Sequence, residues 1–105
     1  MTDLQPMRVF FKSGNTLSYE FRRNQLHRLK KSILDHEKEL YHALYSDLKK
    51  SREESWVTEV GFVIAEINHT LRKLKKWMVP EKAATNLLNF PSKSFIYKEP
   101  LGVVL

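Results

Sequence analysis

Four histidines, twelve acidic side chains and one glycosylation sequon are the groups in this sequence that could do chemistry. His36-Glu37 resembles the opening of the zinc-protease motif, in which two histidines four residues apart share one helix face and clasp a metal. Position 40 is Leu40, so the second ligand is missing, and His42 stands six residues from His36, on another face. Asp35, Glu37 and Glu39 cluster, but general acid–base work needs a partner base and a pocket. Three acids at a helix start read instead as cap charge. Asn68-His69-Thr70 matches a sequon inside a helical stretch, with no secretory leader in front of it. There is no cysteine, which excludes a disulfide framework, a thiolate zinc site and a cysteine nucleophile within these residues. Gly14, Gly61 and Gly102 are isolated, so neither a dinucleotide fingerprint nor a phosphate loop can be built from them. No catalytic, cofactor-binding or metal-binding residue is assigned.

Charge is the next candidate. The formal net charge is +6, which suits nucleic acid, anionic lipid or acidic protein alike. Arg22-Arg23, Arg28-Lys30-Lys31, Lys49-Lys50-Arg52 and Arg72-Lys73-Lys75-Lys76 could line up as a phosphate-binding stripe. Acidic residues are interleaved throughout, so solvated helix faces are the plainer reading.

The elements that would carry these groups follow from punctuation. Residues 16 to 79 contain no proline and one glycine, Gly61, and should be helical. Before them, Asp3 to Ser13 predicts a short helix with Met7, Phe10 and Phe11 on one face and Gly14 at its end. Leu26, Leu29, Ile33, Leu40, Leu44 and Leu48 mark a second helical face over Leu17 to Lys50. Asp35 and the acids after it predict a break there and two consecutive helices. Ser51 with Glu54 fits a capping box. Trp56, Val57, Val60, Val63, Ile64, Ile67, Leu71, Leu74 and Trp77 then trace one stripe as far as Pro80. Acids lie early and bases late along it, as the helix dipole favours. A short link makes segments two and three an antiparallel hairpin. At helical spacing the stripe is core before it is a partner site.

Three regions are expected: a helical region 1–79, an irregular connection 80–93 and a β segment 94–105. Phe95, Ile96 and Tyr97 predict a strand over Ser94 to Glu99. Gly102 to Leu105 opens a continuous apolar run, as in a strand covered on both faces. Such a strand needs neighbours on both edges, so the chain reads as a piece of something larger. Its longest apolar run, Val60 to Ala65, is far short of the ~20 residues of a membrane span. Its start lacks a basic, then apolar, leader. The expectation is a soluble cytoplasmic protein.

Three stretches carry a family resemblance. They are Phe21 to Lys30, continuing into Glu37-Lys38-Glu39-Leu40 and Ala43 to Lys50; Glu59 through Leu74, with Trp77 and Pro80; and Tyr97-Lys98-Glu99-Pro100-Leu101-Gly102-Val103-Val104-Leu105. Together they resemble the amino-terminal region of a class 3-type aldehyde dehydrogenase, the branch that includes fatty-aldehyde and coniferyl-aldehyde enzymes. The resemblance implies oxidation of aldehydes to carboxylic acids with NAD or NADP, through a nucleophilic cysteine and a glutamate, in a homodimer. The family's Trp-Asn-Tyr-Pro segment, cofactor glycines, glutamate and cysteine all lie beyond the matched stretch, so no role is carried onto any residue here. It also implies that the helices pack on the cofactor domain, that 95–99 joins a dimerisation sheet, and that 102–105 enters the dinucleotide-binding sheet.

The fold expected is mainly α: a hairpin of long amphipathic helices followed by a short β segment, a fragment of the larger α/β aldehyde dehydrogenase fold. The function expected is that of an amino-terminal fragment without catalysis of its own, partnered by the rest of the dehydrogenase chain and prone to self-association. A self-contained helical scaffold protein is the alternative, and a small basic nucleic-acid-binding module the minor one.

Overall fold

The computed structural model describes residues 3–104. Helix α1 spans Gln5–Lys12 and admits Pro6 because its first turn needs no donor there. Gly14, at φ 80°, provides the left-handed residue that turns the chain out of it. Ser18 caps α2, Tyr19–Asp35, by accepting from the Phe21 amide at 3.1 Å. The predicted break occurs at His36, where φ leaves the helical range, and α3 follows over Glu37–Leu48. Asp35 does not cap α3; its carboxylate pairs back to Lys31. Lys49, at φ 55°, closes α3 in a left-handed conformation, and its amide bonds the Tyr45 carbonyl.

The capping residue Ser51 opens α4, Arg52–Ser55, and accepts from the Glu54 amide at 3.1 Å. The expected single helix then departs from regularity. Trp56–Val60 forms a π turn, and α5 runs over Gly61–Trp77. In the π turn the Gly61 amide reaches back five residues to the Trp56 carbonyl. A Cβ on Gly61 would lie 2.6 Å from that oxygen and 3.0 Å from the Trp56 ring. Glycine is therefore what lets the indole and the widened turn close together.

α5 runs antiparallel to α2 and α3. Lys30 donates to Asn68 Oδ1 at 2.8 Å midway along α5, and Lys50 donates to Glu59 Oε1 at 2.5 Å just before its start. Val60, Ile67 and Leu74, spaced by sevens along this helix, are the buried apolar side chains among the described residues. Ser55, one turn earlier, is fully buried, with its hydroxyl unpartnered among the described residues.

Past Pro80, β1 (Glu81–Ala83) pairs antiparallel with β2 (Ser94–Ile96) in the register Glu81–Ile96, Lys82–Phe95, Ala83–Ser94. Residue pattern gives no sign of β1, because Glu, Lys and Ala are weak strand formers. Pairing with β2 imposes it, and the Lys98–Glu81 ion pair and a Thr85–Ser94 hydrogen bond at 2.9 Å hold the ends. Between the strands Asn86 caps a 3-10 turn, Leu87–Asn89, followed by a cis Phe90–Pro91 bond.

The expected strand over Gly102 to Leu105 is not formed: residues 101–104 lie outside regular structure, and Leu105 lies outside the described residues. A strand exists only by pairing, and among the described residues no sheet edge meets this stretch. β2 likewise stops at Ile96, short of the expected Glu99.

The molecule measures 64 × 32 × 23 Å, with a radius of gyration of 19.6 Å, against about 13 Å for a compact chain of ~100 residues. Two substitutions test the packing of the π turn by urea unfolding. Gly61→Ala should cost about 1–3 kcal/mol, against the usual gain from alanine in a helix. Ser55→Ala should be neutral or stabilising, since it removes a buried hydroxyl that has no partner.

Candidate functional site

The polar groups with chemical potential are dispersed by the fold. His36 Nδ1 lies 2.8 Å from the Ser32 carbonyl, within the end of α2. His69 meets Trp77 in a tilted ring contact with centroids 5.7 Å apart. Among the described residues, no three metal-ligating side chains come together. Glu37 accepts from the Tyr41 hydroxyl at 2.8 Å. Desolvation, then this hydrogen bond and the charge behind it, raise the Tyr41 pKa above the ordinary tyrosine value. Asn68 of the sequon spends its oxygen on Lys30, pinning the hairpin.

Several members of the basic clusters are engaged within the fold. Lys30 and Lys50 serve the two hairpin pins, Lys49 lies over the Tyr45 ring at 5.2 Å, and Arg52 lies over Tyr41 at 5.6 Å. These positions were legible as charge; their partners, eight or more residues away in most cases, were not.

What the structure does present is apolar surface. Of the Trp56–Trp77 stripe, Val60, Ile67 and Leu74 are core, while Trp56, Val57, Val63 and Trp77 remain exposed. A cleft of about 330 Å³ opens between α3 and the start of α5, lined by Ile33, Leu40, Leu44, Val60 and Val63. A larger groove of about 800 Å³ separates α1 from the C-terminal stretch. Its floor is Pro6, Met7, Phe10, Phe11, Val103 and Val104, and Arg22, Lys98 and Glu99 stand at its margin. Phe10 is braced by Phe21, 5.8 Å away, and Arg22 Nε holds the link to α2 through the Thr16 carbonyl at 2.9 Å. The turn between the strands lifts Leu87, Leu88 and Phe90 almost wholly into solvent, at 88%, 90% and 82% exposure. The accessible surface totals 9030 Å², against roughly 6,200 Å² for a compact monomer of this mass. An excess of roughly 2,900 Å² is the scale of an obligate interface.

A dinucleotide does not fit these residues. Gly14 closes a helix, Gly61 is wedged against Trp56, and Gly102 has open space around it. None opens a helix N-terminus onto a phosphate. No helix among the described residues is long and apolar enough to cross a membrane.

Known proteins resemble the chain over nearly its whole length. No family model matches the chain. Aldehyde dehydrogenase family 3 member H1 of Arabidopsis thaliana is 46% identical over 99 residues, which is 94% of this chain and 20% of that protein. Aldehyde dehydrogenase family 3 member B1 of Mus musculus is 43% identical over 102 residues, 97% of this chain and 22% of that protein. The structure of Staphylococcus aureus AldH in a substrate-bound state superposes with a TM-score of 0.88 at 35% identity, covering 95% of this chain and 23% of that one. The chain thus spans about one fifth of the length of the curated relatives it matches.

The margin of the large groove supplies a direct test. The Lys98 ammonium beside Glu81, through hydrogen bond and charge, holds that carboxyl below its ordinary value. The pairing therefore favours the folded strands above the normal glutamate range and is lost as pH falls through the depressed value. An NMR titration should place the Glu81 midpoint below that of a free glutamate, and Lys98→Met should return it to the ordinary value.

Proposed function

The chain corresponds to the amino-terminal segment of class 3 aldehyde dehydrogenases, and from that premise we propose that it is the helical docking segment of an NAD(P)-dependent enzyme oxidising aldehydes to carboxylic acids. In this reading the chain contributes shape and apolar contact, and its own side chains perform no chemical step. Nucleophile and dinucleotide site belong to the remaining four fifths of such an enzyme, because these 105 residues hold no cysteine and their glycines cradle no phosphate.

The observation that carries the reading is the preserved conformation. Over 95% of its length the chain superposes on 23% of the AldH structure, and the other three quarters of that structure have no counterpart here. The hairpin is set internally, by its caps, the π turn and the pins Lys30–Asn68 and Lys50–Glu59. Its outward faces, Val57, Val63 and Trp77 among them, are the ones left without cover. A surface ordered in advance but unburied is what a docking element needs, since ordering cost falls before association. The helices would lie against the cofactor domain and residues 95–99 would join a dimerisation sheet, in the cytoplasm.

The purified chain, given a range of aldehydes with NAD or NADP, should produce no reduced nicotinamide above the buffer rate, by absorbance. Aldehyde-dependent reduction by the chain, free of contaminating enzyme, would overturn the reading.

A further inference from the structure

We propose that the helix entering α5 has two registers, one with the π turn and one regular, and that exchange between them presents or withdraws Trp56. The buried line of this helix is Val60, Ile67 and Leu74. On a regular helix the residue that neighbours Val60 in the preceding turn is Trp56, four residues back. The π turn lengthens that step by one residue, so Ser55 falls on the line instead. Burial records the change of place: Ser55 is 0% exposed, while Trp56 is 43% exposed and lies over Gly61. The inference goes beyond the docking reading and does not rest on it, because both registers belong to this chain alone.

Each register carries its own costs. With the π turn, the Ser55 hydroxyl is buried with no partner among the described residues, a costly state for a polar group, and much of a large indole stays in water. A regular turn would send Ser55 toward solvent and place the indole on the buried line. It would also undo what the π turn has built. Thr58 Oγ1 donates to the Glu54 carbonyl at 2.9 Å, backing the widened turn. Lys50 Nζ reaches both Thr58 Oγ1 at 3.3 Å and Glu59 Oε1 at 2.5 Å. Arg52 lies over the Tyr41 ring at 5.6 Å and ties α4 to α3. A serine on the line lets α4 pack closely on α3. An indole there would push the helices apart, since their spacing follows the side chains between them, and would part Arg52 from Tyr41. Opposed costs of this kind keep both arrangements accessible. Gly61 is the residue that admits the π register. A Cβ there would stand 2.6 Å from the Trp56 carbonyl, whereas in a regular turn that carbonyl would accept from the Val60 amide and the conflict would be gone.

Magnetic relaxation of the intact chain tests it. Helix register shifts occur over microseconds to milliseconds. Nitrogen relaxation dispersion should therefore show exchange at the Trp56 indole and at the amides of residues 55–61, and none at the Trp77 indole. Gly61→Ala should move the population to the regular turn. Measured in a Trp77→Phe background, Trp56 emission should then shift to the blue and lose its quenching by acrylamide, with the helical circular dichroism kept. Deleting Thr58 takes the extra residue out, so a regular turn leaves Ser55 on the line and Trp56 outside it. Exchange at 55–61 should vanish in that chain, with quenching as in the Trp77→Phe reference. Flat dispersion at 55–61 in the unchanged chain, a folded Gly61→Ala chain whose Trp56 is quenched as before, or exchange that survives the deletion would each overturn the proposal. Where Gly61→Ala does not fold, the dispersion and the deletion decide.

Discussion

Every feature of this molecule leans on one line of contact. Val60, Ile67 and Leu74 recur every seven residues, two helical turns apart, and bury themselves where α5 crosses α2 and α3. The burial supplies attraction but little direction, since apolar contact is not orienting. Direction comes from two polar pins beside the seam, Lys30 to Asn68 near its middle and Lys50 to Glu59 at its start. Both pins keep their charged groups at the edge, partly exposed, so neither ammonium bears the full cost of burial.

The π turn belongs to the same constraint. Widening one turn by a residue rotates everything beyond it relative to the Ser51 cap. Val60, Ile67 and Leu74 share a line by their seven-residue spacing, and the turn sets where Ser55 and Trp56 fall relative to it, with Trp56 packed over Gly61. Without the glycine the indole and the carbonyl would compete for one space. A local irregularity thus sets the register of the whole hairpin.

Much of this was legible in the sequence, for physical reasons. Helix ends are local events, so Ser18 to Phe21 aside, the Ser51–Glu54 cap, the break after Asp35 and the Gly14 exit could all be read from neighbouring residues. The resemblance to class 3 aldehyde dehydrogenases rested on continuous runs and is matched by the relatives and the superposed structure. The pins were not legible, because Lys30 and Asn68 are 38 residues apart. Nor was the π turn, although a lone glycine in 64 proline-free residues was its signal. β1 was hidden because Glu81, Lys82 and Ala83 become a strand only through β2. The strand expected over Gly102 to Leu105 is not formed over the described residues 102–104, because pairing partners and not apolar sequence make a strand. The exposed apolar turn Leu87–Phe90 was hidden too, because its exposure depends on the pairing of β1 with β2 on either side of it.

The seam is the stable part of the chain, and the apolar remainder is a surface held ready for cover. Native-state hydrogen exchange measures that division residue by residue. The strongest protection should fall in α5 between Ile64 and Leu74 and in the facing turns of α2, with residues 86–93 and 97–104 exchanging near the rate of an unfolded chain below micromolar concentration. Equal protection from α1 to the end of the described chain, lost in one cooperative step, would contradict it.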